Sequence, residues 1–278
     1  MDNVLLVGGG YVASALADRL LAAGTKISII KRYPCEVAKG VSLILADITK
    51  SIDLTLHEEF DAVVYSLSPD EHTEEAYQLA YVEGVNCTLS LLRKSSSLRG
   101  PLFFTSSTGV YAQANGEWVD EESPTEPQDF SGNIILEGET ILRESEFSSV
   151  VLRFGGIYGP GRDRIISDVK SGAAHLSSRP HFSNRIHRDD CAGILFHLLA
   201  TGVQEGTYLG VDSEPVDRNE LIRWLAAELS APDPVVGEAP PRRETRGNKR
   251  CSNKKILESG YKFQYPSFRE GYRALIEL

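Results

Sequence analysis

Several features of membrane, secreted and metal-binding proteins are missing from this sequence. No apolar run reaches the roughly 18–20 residues that span a bilayer, and the first residues, MDNVLLVGGG, carry an acid where a signal peptide has bases. The four cysteines (35, 87, 191 and 251) lie far apart and form no CxxC pair, which fits a reduced, cytoplasmic location. The six histidines show no ligand spacing, so we predict no metal site.

An excess of positive charge is also missing. The net charge is −10 over 278 residues, which argues against nucleic acid or an anionic membrane as the main partner. Apolar residues make up 41% and charged residues 24%, a composition typical of globular, soluble proteins. The length allows one large α/β domain with a smaller lobe.

Short apolar runs alternate with helical patterns along the chain. Runs that are apolar at nearly every position are typical of parallel strands covered on both faces. Their alternation with helices predicts an α/β fold, a Rossmann doubly wound parallel sheet with a small C-terminal substrate lobe. Strands are expected at residues 3–7, 26–30, 41–46, 62–66, 102–105, 150–154 and 207–211, and helices at 11–23, 74–95, 129–142 and 218–229.

The sequence changes character after residue 155. A glycine-rich stretch covers residues 155–161, and a proline-rich, then basic, loop covers 231–249. We therefore expect a Rossmann domain over residues 1–160, to which a strand and a helix near 184–211 return. The small lobe is expected from residues 161–183 and 212–278.

The strongest local motif is a glycine turn between the first strand and the first helix, LLVGGGYVASALADRL. Gly8, Gly10 and Ala13 form G-x-G-x-x-A, in which the first glycine permits the turn and the second admits a pyrophosphate. The third, small residue allows close packing, and the helix N-terminus attracts phosphate. At the first strand–turn–helix of an α/β chain, this motif predicts dinucleotide binding.

Two cations end the second strand, where an NAD enzyme has an acid for the ribose hydroxyls. Lys31 and Arg32 stand at this place, and an arginine fork with a point-charge lysine suits a 2′-phosphate. NADP(H) is therefore favoured over NAD(H). The alternative is that both are solvated charges at a strand end.

Small polar residues follow three other strands at the same carboxyl edge, where α/β sheets bind ligands. Asp47 follows the third strand and has two compatible interpretations, an adenine contact or a helix N-cap. Ser66 follows the fourth strand, and the fifth delivers the hydroxyls of residues 105–108. Hydroxyls at this edge can orient a substrate carbonyl or alcohol beside a nicotinamide.

The chain resembles the extended short-chain dehydrogenase/reductases, the NAD(P)-dependent epimerase/dehydratase family, from residue 3 to about residue 275. Five stretches carry the resemblance in this order: GGGYVASALA, LADIT, FFTSSTGVY, LRFGGIYGPGR and NRIHRDD. The ending NKRCSNKKILESGYKFQYP is most similar to atypical bacterial members without an assigned substrate. The resemblance implies Ser107 as the catalytic serine. It implies cofactor contacts by Gly8, Gly10, Tyr11, Val12, Asp47, Ile48, Ser66, Leu67, Ser106 and Gly156.

The family's Y-x-x-x-K pair is missing. When Ile135-Leu136-Glu137-Gly138-Glu139 is matched to the family's K-L-x-x-E continuation, Ser131 stands at the tyrosine place and Ile135 at the lysine place. A positioned proton donor contributes roughly 10²–10⁴-fold in rate, so its loss slows turnover without removing cofactor binding.

Three residues are candidates for the missing donor. Each candidate also has a structural interpretation: Tyr111 as a core residue by its pattern, Tyr158 as part of a purely structural loop, and His187 as a residue packed within the lobe. His187 titrates in the useful range and is also placed at the substrate. Arg162 and Arg185 are expected to anchor an anionic substrate.

Two hypotheses remain. The first is an NADP(H)-dependent oxidoreductase or epimerase/dehydratase-like enzyme acting on an unidentified small polar or anionic substrate. The alternative is a non-catalytic NADP(H)-binding redox sensor or partner-binding protein, with the basic loop 242–250 as either a contact surface or a solvated loop. The resemblance also implies a homodimer built from helices around residues 71–95 and 131–145.

Overall fold

A seven-stranded parallel sheet forms the centre of the protein, whose computed structural model describes residues 1–50, 53–237 and 247–277. The strands within these ranges are β1 (Asn3–Val7), β2 (Lys26–Lys31), β3 (Val41–Leu45), β4 (Ala62–Tyr65), β5 (Leu102–Ser107), β6 (Glu117–Val119), β7 (Ser149–Phe154), β8 (Gly156–Tyr158), β9 (Phe182–Ser183), β10 (Arg185–His187), β11 (Gly206–Gly210), β12 (Val216–Asp217) and β13 (Lys249–Cys251). The main sheet has the order β11-β7-β5-β4-β1-β2-β3. The direction of winding reverses between β1 and β4, where ligands bind in folds of this kind.

Helices cover both faces of the sheet. In the described ranges they are α1 (Tyr11–Ala22), α2 (Glu74–Gln78), α3 (Gly84–Ser95), α4 (Phe130–Arg143), α5 (Arg164–Lys170), α6 (Arg188–Thr201), α7 (Arg218–Glu228), α8 (Lys254–Glu258) and α9 (Phe268–Ile276). None of them is long and apolar enough to cross a membrane.

Alternate residues of the strands face two separate apolar clusters. On β1, Val4 and Leu6 pack with residues of α1 and α6, whereas Leu5 and Val7 pack with residues of α3 and α4. All four side chains are fully buried. A parallel sheet with helices on both faces is the doubly wound Rossmann arrangement, so the predicted fold class is confirmed.

A third apolar cluster lies away from the main sheet. It joins α5, α7 and α9 through Ile166, Leu221, Leu225 and Phe268. Three two-stranded ladders lie outside the main sheet: β8 with β10, β9 with β12 and β6 with β13. The cluster falls within the segments expected to form the small lobe.

One π-helical segment, Leu79–Glu83, interrupts the single helix expected over residues 74–95. The buried Tyr65 hydroxyl donates to the carbonyl oxygen of Ala80, and a Cβ at Gly84 would collide with that hydroxyl. The wide turn accommodates the tyrosine inserted from β4.

Of the basic loop 242–250, residues 242–246 lie outside the described residues.

Candidate functional site

The glycine turn lies between β1 and α1, beside the reversal point of the sheet. Gly8 has φ +93°, and a Cβ there would come within 2.8 Å of the Ser66 carbonyl oxygen. Gly10 has an extended backbone, and a Cβ there would meet nothing within 4 Å. Ala13 is fully buried against the sheet. Gly8 is therefore required by the turn, whereas Gly10 leaves open space in front of the helix.

The start of α1 is suited to an anion. Its N-cap residue, Gly10, provides no side-chain hydrogen bond, and the first turn contains no acid. The first N–H groups of a helix have no partner within the helix and carry the positive end of its dipole. Together with the space over Gly10, these groups fit the pyrophosphate of a dinucleotide, which Tyr11 and Val12 would also line.

Two arginines from distant segments converge on the first residue of α1. The guanidinium of Arg162 lies 4.3 Å from the centroid of the Tyr11 ring, and that of Arg188 lies 5.1 Å from it. The Tyr11 hydroxyl donates to the carbonyl oxygen of Pro160 at 2.9 Å. Burial raises the pKa of Tyr11. Arg162, expected to anchor substrate, instead lies at the glycine turn.

Lys31 and Arg32 stand at the end of β2, next to the same turn. The aliphatic stem of Lys31 lies so close to Gly9 that a Cβ there would be 2.8 Å from its Cδ. Arg32 donates two hydrogen bonds to the Asp70 carboxylate, at 2.8 and 2.7 Å. These bonds raise the pKa of Arg32. A 2′-phosphate at this place would compete with Asp70 for the guanidinium.

Asp47 caps the turn that follows β3. Its Oδ1 accepts hydrogen bonds from the Thr49 backbone nitrogen at 3.2 Å and from the Thr49 hydroxyl at 2.7 Å, and Lys50 lies 3.3 Å from Oδ2. Burial acts to raise the pKa of Asp47, but these contacts outweigh it and the pKa is lowered. No helix begins between β3 and β4 in the described residues, so Asp47 caps a turn and not the helix that the sequence suggested. An adenine contact by Asp47 stays a prediction. Ile48 and Ser66 are buried, and Leu67 is half-buried.

A cleft of about 520 Å³ opens at the carboxyl end of β5. Ser107 lines it and accepts a hydrogen bond from the Gly109 nitrogen at 3.0 Å. Other lining residues come from α4, from the start of β8 and the residue before it, from the residue before β10, and from the start of β13 and the residue before it. They are Ser131, Ile135, Gly155, Gly156, Asn184, Asn248 and Lys249. The cleft and the glycine turn follow parallel strands, so both lie at the same edge of the sheet.

The two positions where the family has tyrosine and lysine face this cleft. Ser131 and Ile135 both line it from α4, as Ser107 does from β5. The Ser131 hydroxyl donates to Oδ1 of Asp129 at 2.7 Å, so it is held as part of the helix cap. The geometry supports the register expected for this helix. It also shows that the cleft wall has neither a phenol nor an ammonium at these two positions.

Tyr111 lines the cleft, but its hydroxyl belongs to a buried polar network, which argues against it as the missing proton donor. Its hydroxyl accepts from Arg153 at 2.7 Å and donates to the carbonyl oxygen of Asp120 at 2.8 Å. Arg153 also donates twice to Glu139, at 3.0 and 2.7 Å, and Ser106 donates to the same carboxylate at 2.5 Å. Burial raises the pKa of Tyr111 to about 12. Ser106, expected near the cofactor, faces this network.

Tyr158 and His187 are both buried and are not among the residues that line the Ser107 cleft, which argues against either as the donor. The Tyr158 ring stacks on Tyr272 at 4.4 Å, is 2% exposed and has its pKa raised by burial. His187 is also 2% exposed, and its Nδ1 accepts from the Asp189 nitrogen at 3.2 Å as the N-cap of α6. Burial lowers the pKa of His187, which favours the neutral ring.

Arg185, the second expected substrate anchor, contacts the small lobe. It donates to the Tyr272 hydroxyl at 2.7 Å, and its guanidinium lies 5.6 Å from the centroid of that ring. Arg185 is not among the residues that line the Ser107 cleft. Neither expected arginine therefore faces the cleft.

Lys249 was missed by the sequence analysis. It lines the cleft from β13, is 7% exposed, and its Nζ donates to the carbonyl oxygen of Tyr111 at 2.9 Å. Asn184 holds the β13 backbone by donating to the Lys249 carbonyl oxygen at 3.0 Å and accepting from the Cys251 nitrogen at 2.7 Å. Lys249 is 138 residues from Tyr111 in the chain, so no sequence spacing indicated this placement.

Comparison with known proteins gives one family and full-length relatives. The model of the NAD dependent epimerase/dehydratase family matches residues 4–202. Human epimerase family protein SDR39U1 is 25% identical over 98% of this chain and 99% of its own length.

Solved structures share the whole fold. A Methylobacillus flagellatus protein assigned to the NAD-dependent epimerases/dehydratases is 37% identical, with a TM-score of 0.85 over 99% of this chain and 98% of that one. Human SDR39U1 (isoform 2), solved with NADPH, has a TM-score of 0.82 at 20% identity, covering 99% of both chains. Thermus thermophilus UDP-glucose 4-epimerase, solved with NAD, has a TM-score of 0.78 at 20% identity over 99% of this chain and 98% of that one.

Proposed function

Because this chain belongs to the NAD-dependent epimerase/dehydratase family, we propose that it binds NADP(H) and acts as an oxidoreductase or epimerase-like enzyme on a small polar or anionic substrate. The observation that carries the proposal is the common sheet edge of the open turn at Gly10 and the Ser107 cleft. A dinucleotide laid along this edge would reach from the turn to the cleft.

Lys31 and Arg32 support NADP(H) over NAD(H). They stand at the end of β2, beside the glycine turn, where two positive charges favour a 2′-phosphate. The human relative solved with NADPH and the bacterial epimerase solved with NAD show that both cofactors occur on this fold, so the choice rests on these two side chains. Asp70 lowers the net charge around Arg32 and weakens that preference without reversing it.

In the cleft, this chain's residues would position the substrate rather than act as strong acids. A bound nicotinamide supplies or accepts the hydride. Ser107 would hold the substrate oxygen by a hydrogen bond, as the family resemblance implies for this serine. The Ser131 hydroxyl is too weak an acid to replace an activated phenol. We therefore expect turnover that is slow by roughly 10²–10⁴-fold compared with a site that has the positioned donor.

The charge of the cleft supports an anionic substrate. Lys249 contributes a buried ammonium to the wall. Asp129 is the acid that lines the described part of the cleft, and its Oδ1 accepts from both Ser131 and the Gly132 nitrogen as a helix cap. A small keto or hydroxy acid fits this combination, because its carboxylate would face Lys249.

The second candidate is a non-catalytic NADP(H)-binding sensor. The observation that favours it is the composition of the cleft wall, where Ser131 and Ile135 stand at the places of the proton-transfer pair. Tyr111 also lines the cleft, but its hydroxyl is bonded to Arg153 and to the Asp120 carbonyl oxygen. A sensor would bind oxidised and reduced cofactor with different affinities, or change its affinity for a partner accordingly.

Isotope exchange separates the two candidates. NADPH deuterated at C4 would be incubated with a panel of small keto acids and neutral carbonyls, and deuterium in the products measured by mass spectrometry. We expect transfer to at least one keto acid, with a lower rate in Ser107→Ala and an unchanged rate in the matched cleft variant Ser131→Ala. No transfer to any compound by protein that binds NADPH would favour the sensor.

A further inference from the structure

The two arginines at Tyr11 come from separate segments of the chain, a loop and the start of a helix that covers the main sheet. Arg162 follows β8, and Arg188 begins α6 directly after β10. Their guanidinium groups lie 4.3 and 5.1 Å from the same ring, at the first residue of the helix that faces the expected pyrophosphate. Two positive charges are thus concentrated where the helix dipole is already positive, which is unfavourable unless an anion binds there.

Other partners neutralise only part of this charge. Arg188 donates to Oδ1 of Asp189 at 2.9 Å, so its own charge is paired. Arg162 is exposed, and within the described part of the chain no carboxylate lies within ion-pair distance of it. The Arg162 guanidinium lies against the face of the Tyr11 ring, at the start of the helix. This contact does not use the N–H donors of the guanidinium.

The loop that carries Arg162 is held against the turn. The Tyr11 hydroxyl donates to the Pro160 carbonyl oxygen, and the Arg162 nitrogen donates to the Gly159 carbonyl oxygen at 2.9 Å. Gly159 has φ +145°, and a Cβ there would come within 2.7 Å of the Tyr11 hydroxyl. Only glycine allows this approach, so the loop is built to lie on Tyr11.

We propose that Arg162 and Arg188 bind the cofactor's pyrophosphate and so fasten the Gly159–Arg162 loop over the cofactor, an inference that rests on the proposed NADP(H) binding. Arginine forks are matched to phosphate oxygens, and both guanidinium groups lie on the ring of Tyr11, the residue that follows Gly10. The assignment moves Arg162 from the substrate to the cofactor. Because α5 begins at Arg164, cofactor binding would also order the first helix of the small lobe.

Calorimetric titration with NADPH tests the assignment on the full-length protein. We expect Arg162→Met and Arg188→Met to weaken NADPH binding about tenfold each, the loss of one charged hydrogen-bond partner. Arg162→Lys should lose less. Arg164→Met is the matched control, because Arg164 is 89% exposed and pairs with Asp168 at 3.6 Å. It should bind NADPH as the wild type does, and melting curves check that each variant is folded.

Two fragments locate the contact. ADP-ribose contains the pyrophosphate but no 2′-phosphate, whereas adenosine 2′-phosphate contains the 2′-phosphate but no pyrophosphate. Arg162→Met should weaken ADP-ribose binding about tenfold and leave adenosine 2′-phosphate unchanged, while Lys31→Glu/Arg32→Glu should do the opposite. Wild-type affinity of Arg162→Met for NADPH and ADP-ribose would overturn the inference and leave the proposed function intact. If the wild type binds none of these ligands, both are overturned.

Discussion

Two glycines of one turn have different physical tasks at the scale of single residues. Gly8 occupies a left-handed conformation pressed against the Ser66 carbonyl, so it serves the fold. Gly10 has a backbone that other residues adopt and open space beyond its Cα, so it serves the ligand. The two glycines of one sequence motif therefore have different roles: Gly8 is needed for the fold, and Gly10 leaves room for the ligand.

Alanine at these two positions should separate the tasks. Gly8→Ala should destabilise the protein by about 1–3 kcal/mol, because it strains φ and collides with backbone. Gly10→Ala should keep wild-type stability but weaken NADPH binding by tenfold or more, because its methyl group enters the phosphate space. Urea unfolding and NADPH titration measure the two effects. Equal NADPH affinity of Gly10→Ala and wild type would exclude this turn as the pyrophosphate site.

Glu139 is the centre of the buried network beside Tyr111. Burial acts to raise the pKa of this carboxyl, but the hydrogen bonds and charge of Arg153, with the bond from Ser106, outweigh it and the pKa is lowered. An acid whose pKa is lowered in the folded state stabilises the protein above its unfolded value, roughly 4.3, and this contribution is lost as pH falls through the folded pKa.

Glu139→Gln should therefore change the acid side of the stability curve. We expect the variant to be less stable by about 3–5 kcal/mol at pH 7, because it leaves the buried Arg153 without its counter-charge. The difference should shrink as pH falls below the unfolded value of roughly 4.3 and through the lowered pKa of the folded state, since the wild type then loses the same interaction. Glu137→Gln, an exposed change on the same helix, is the control. A difference that stays constant with pH would contradict the ion pair.

At the scale of elements, α4 is the wall on which the family's proton-transfer pair is replaced. Asp129 caps this helix by accepting from Gly132 at 2.7 Å, and it also fixes Ser131. The two side chains of α4 that face the cleft are thus a serine and an isoleucine, at the places where the resemblance implies tyrosine and lysine. These two side chains line the cleft but cannot carry out the proton transfer of a tyrosine–lysine pair.

The cap itself can be tested against a neighbour that lacks it. Asp129→Ala should cost about 1 kcal/mol, since the Gly132 nitrogen loses its acceptor. Asp163 is the N-cap of α5 but makes no side-chain cap bond, so Asp163→Ala should cost less. Chemical unfolding of both variants gives the comparison. An equal loss in the two would mean that the Asp129 bond contributes nothing.

The main sheet and its helices could be predicted because their patterns are local. Continuous apolar runs such as that of β4, and a glycine turn directly before a helix, indicate their structure from a few neighbouring residues. The ladders of two or three residues, such as β9 with β12, could not be predicted, since segments this short have no periodicity. The π-helical turn depends on Tyr65, which lies in another element.

The candidate site was predicted only in part, for the same reason. Ser107, Gly156 and the α4 register depend on local motifs, and all of these positions line the cleft. Tyr111 and Tyr158 also lie in motifs, but their burial depends on partners such as Arg153 and Tyr272 far along the chain. Lys249 reaches the cleft through β13, whose partner β6 lies more than 100 residues earlier.

For the whole molecule, the proposed cofactor site lies beside the segments expected to form the small lobe. Arg162, from these segments, lies on the Tyr11 ring at the start of α1, so a ligand bound there would contact both. A ligand that binds only the folded state stabilises it by mass action, about 2.7 kcal/mol at a hundred times its Kd.

NADPH should therefore raise the melting temperature of the wild type in a concentration-dependent manner. The rise should be smaller in Gly10→Ala at the same NADPH concentration, because that variant binds less ligand. Differential scanning fluorimetry with and without NADPH measures this, with NADH as the comparison ligand. A rise of the same size in Gly10→Ala would mean that NADPH stabilises the protein from another site.

The most direct test of the account is calorimetric titration of the protein with NADPH, NADP⁺, NADH and NAD⁺. We predict that the wild type binds NADPH more tightly than NADH, that Lys31→Glu/Arg32→Glu abolishes this preference, and that Asp70→Asn increases it by freeing Arg32. Binding of none of the four cofactors, or equal affinity for NADPH and NADH in the wild type, would contradict it.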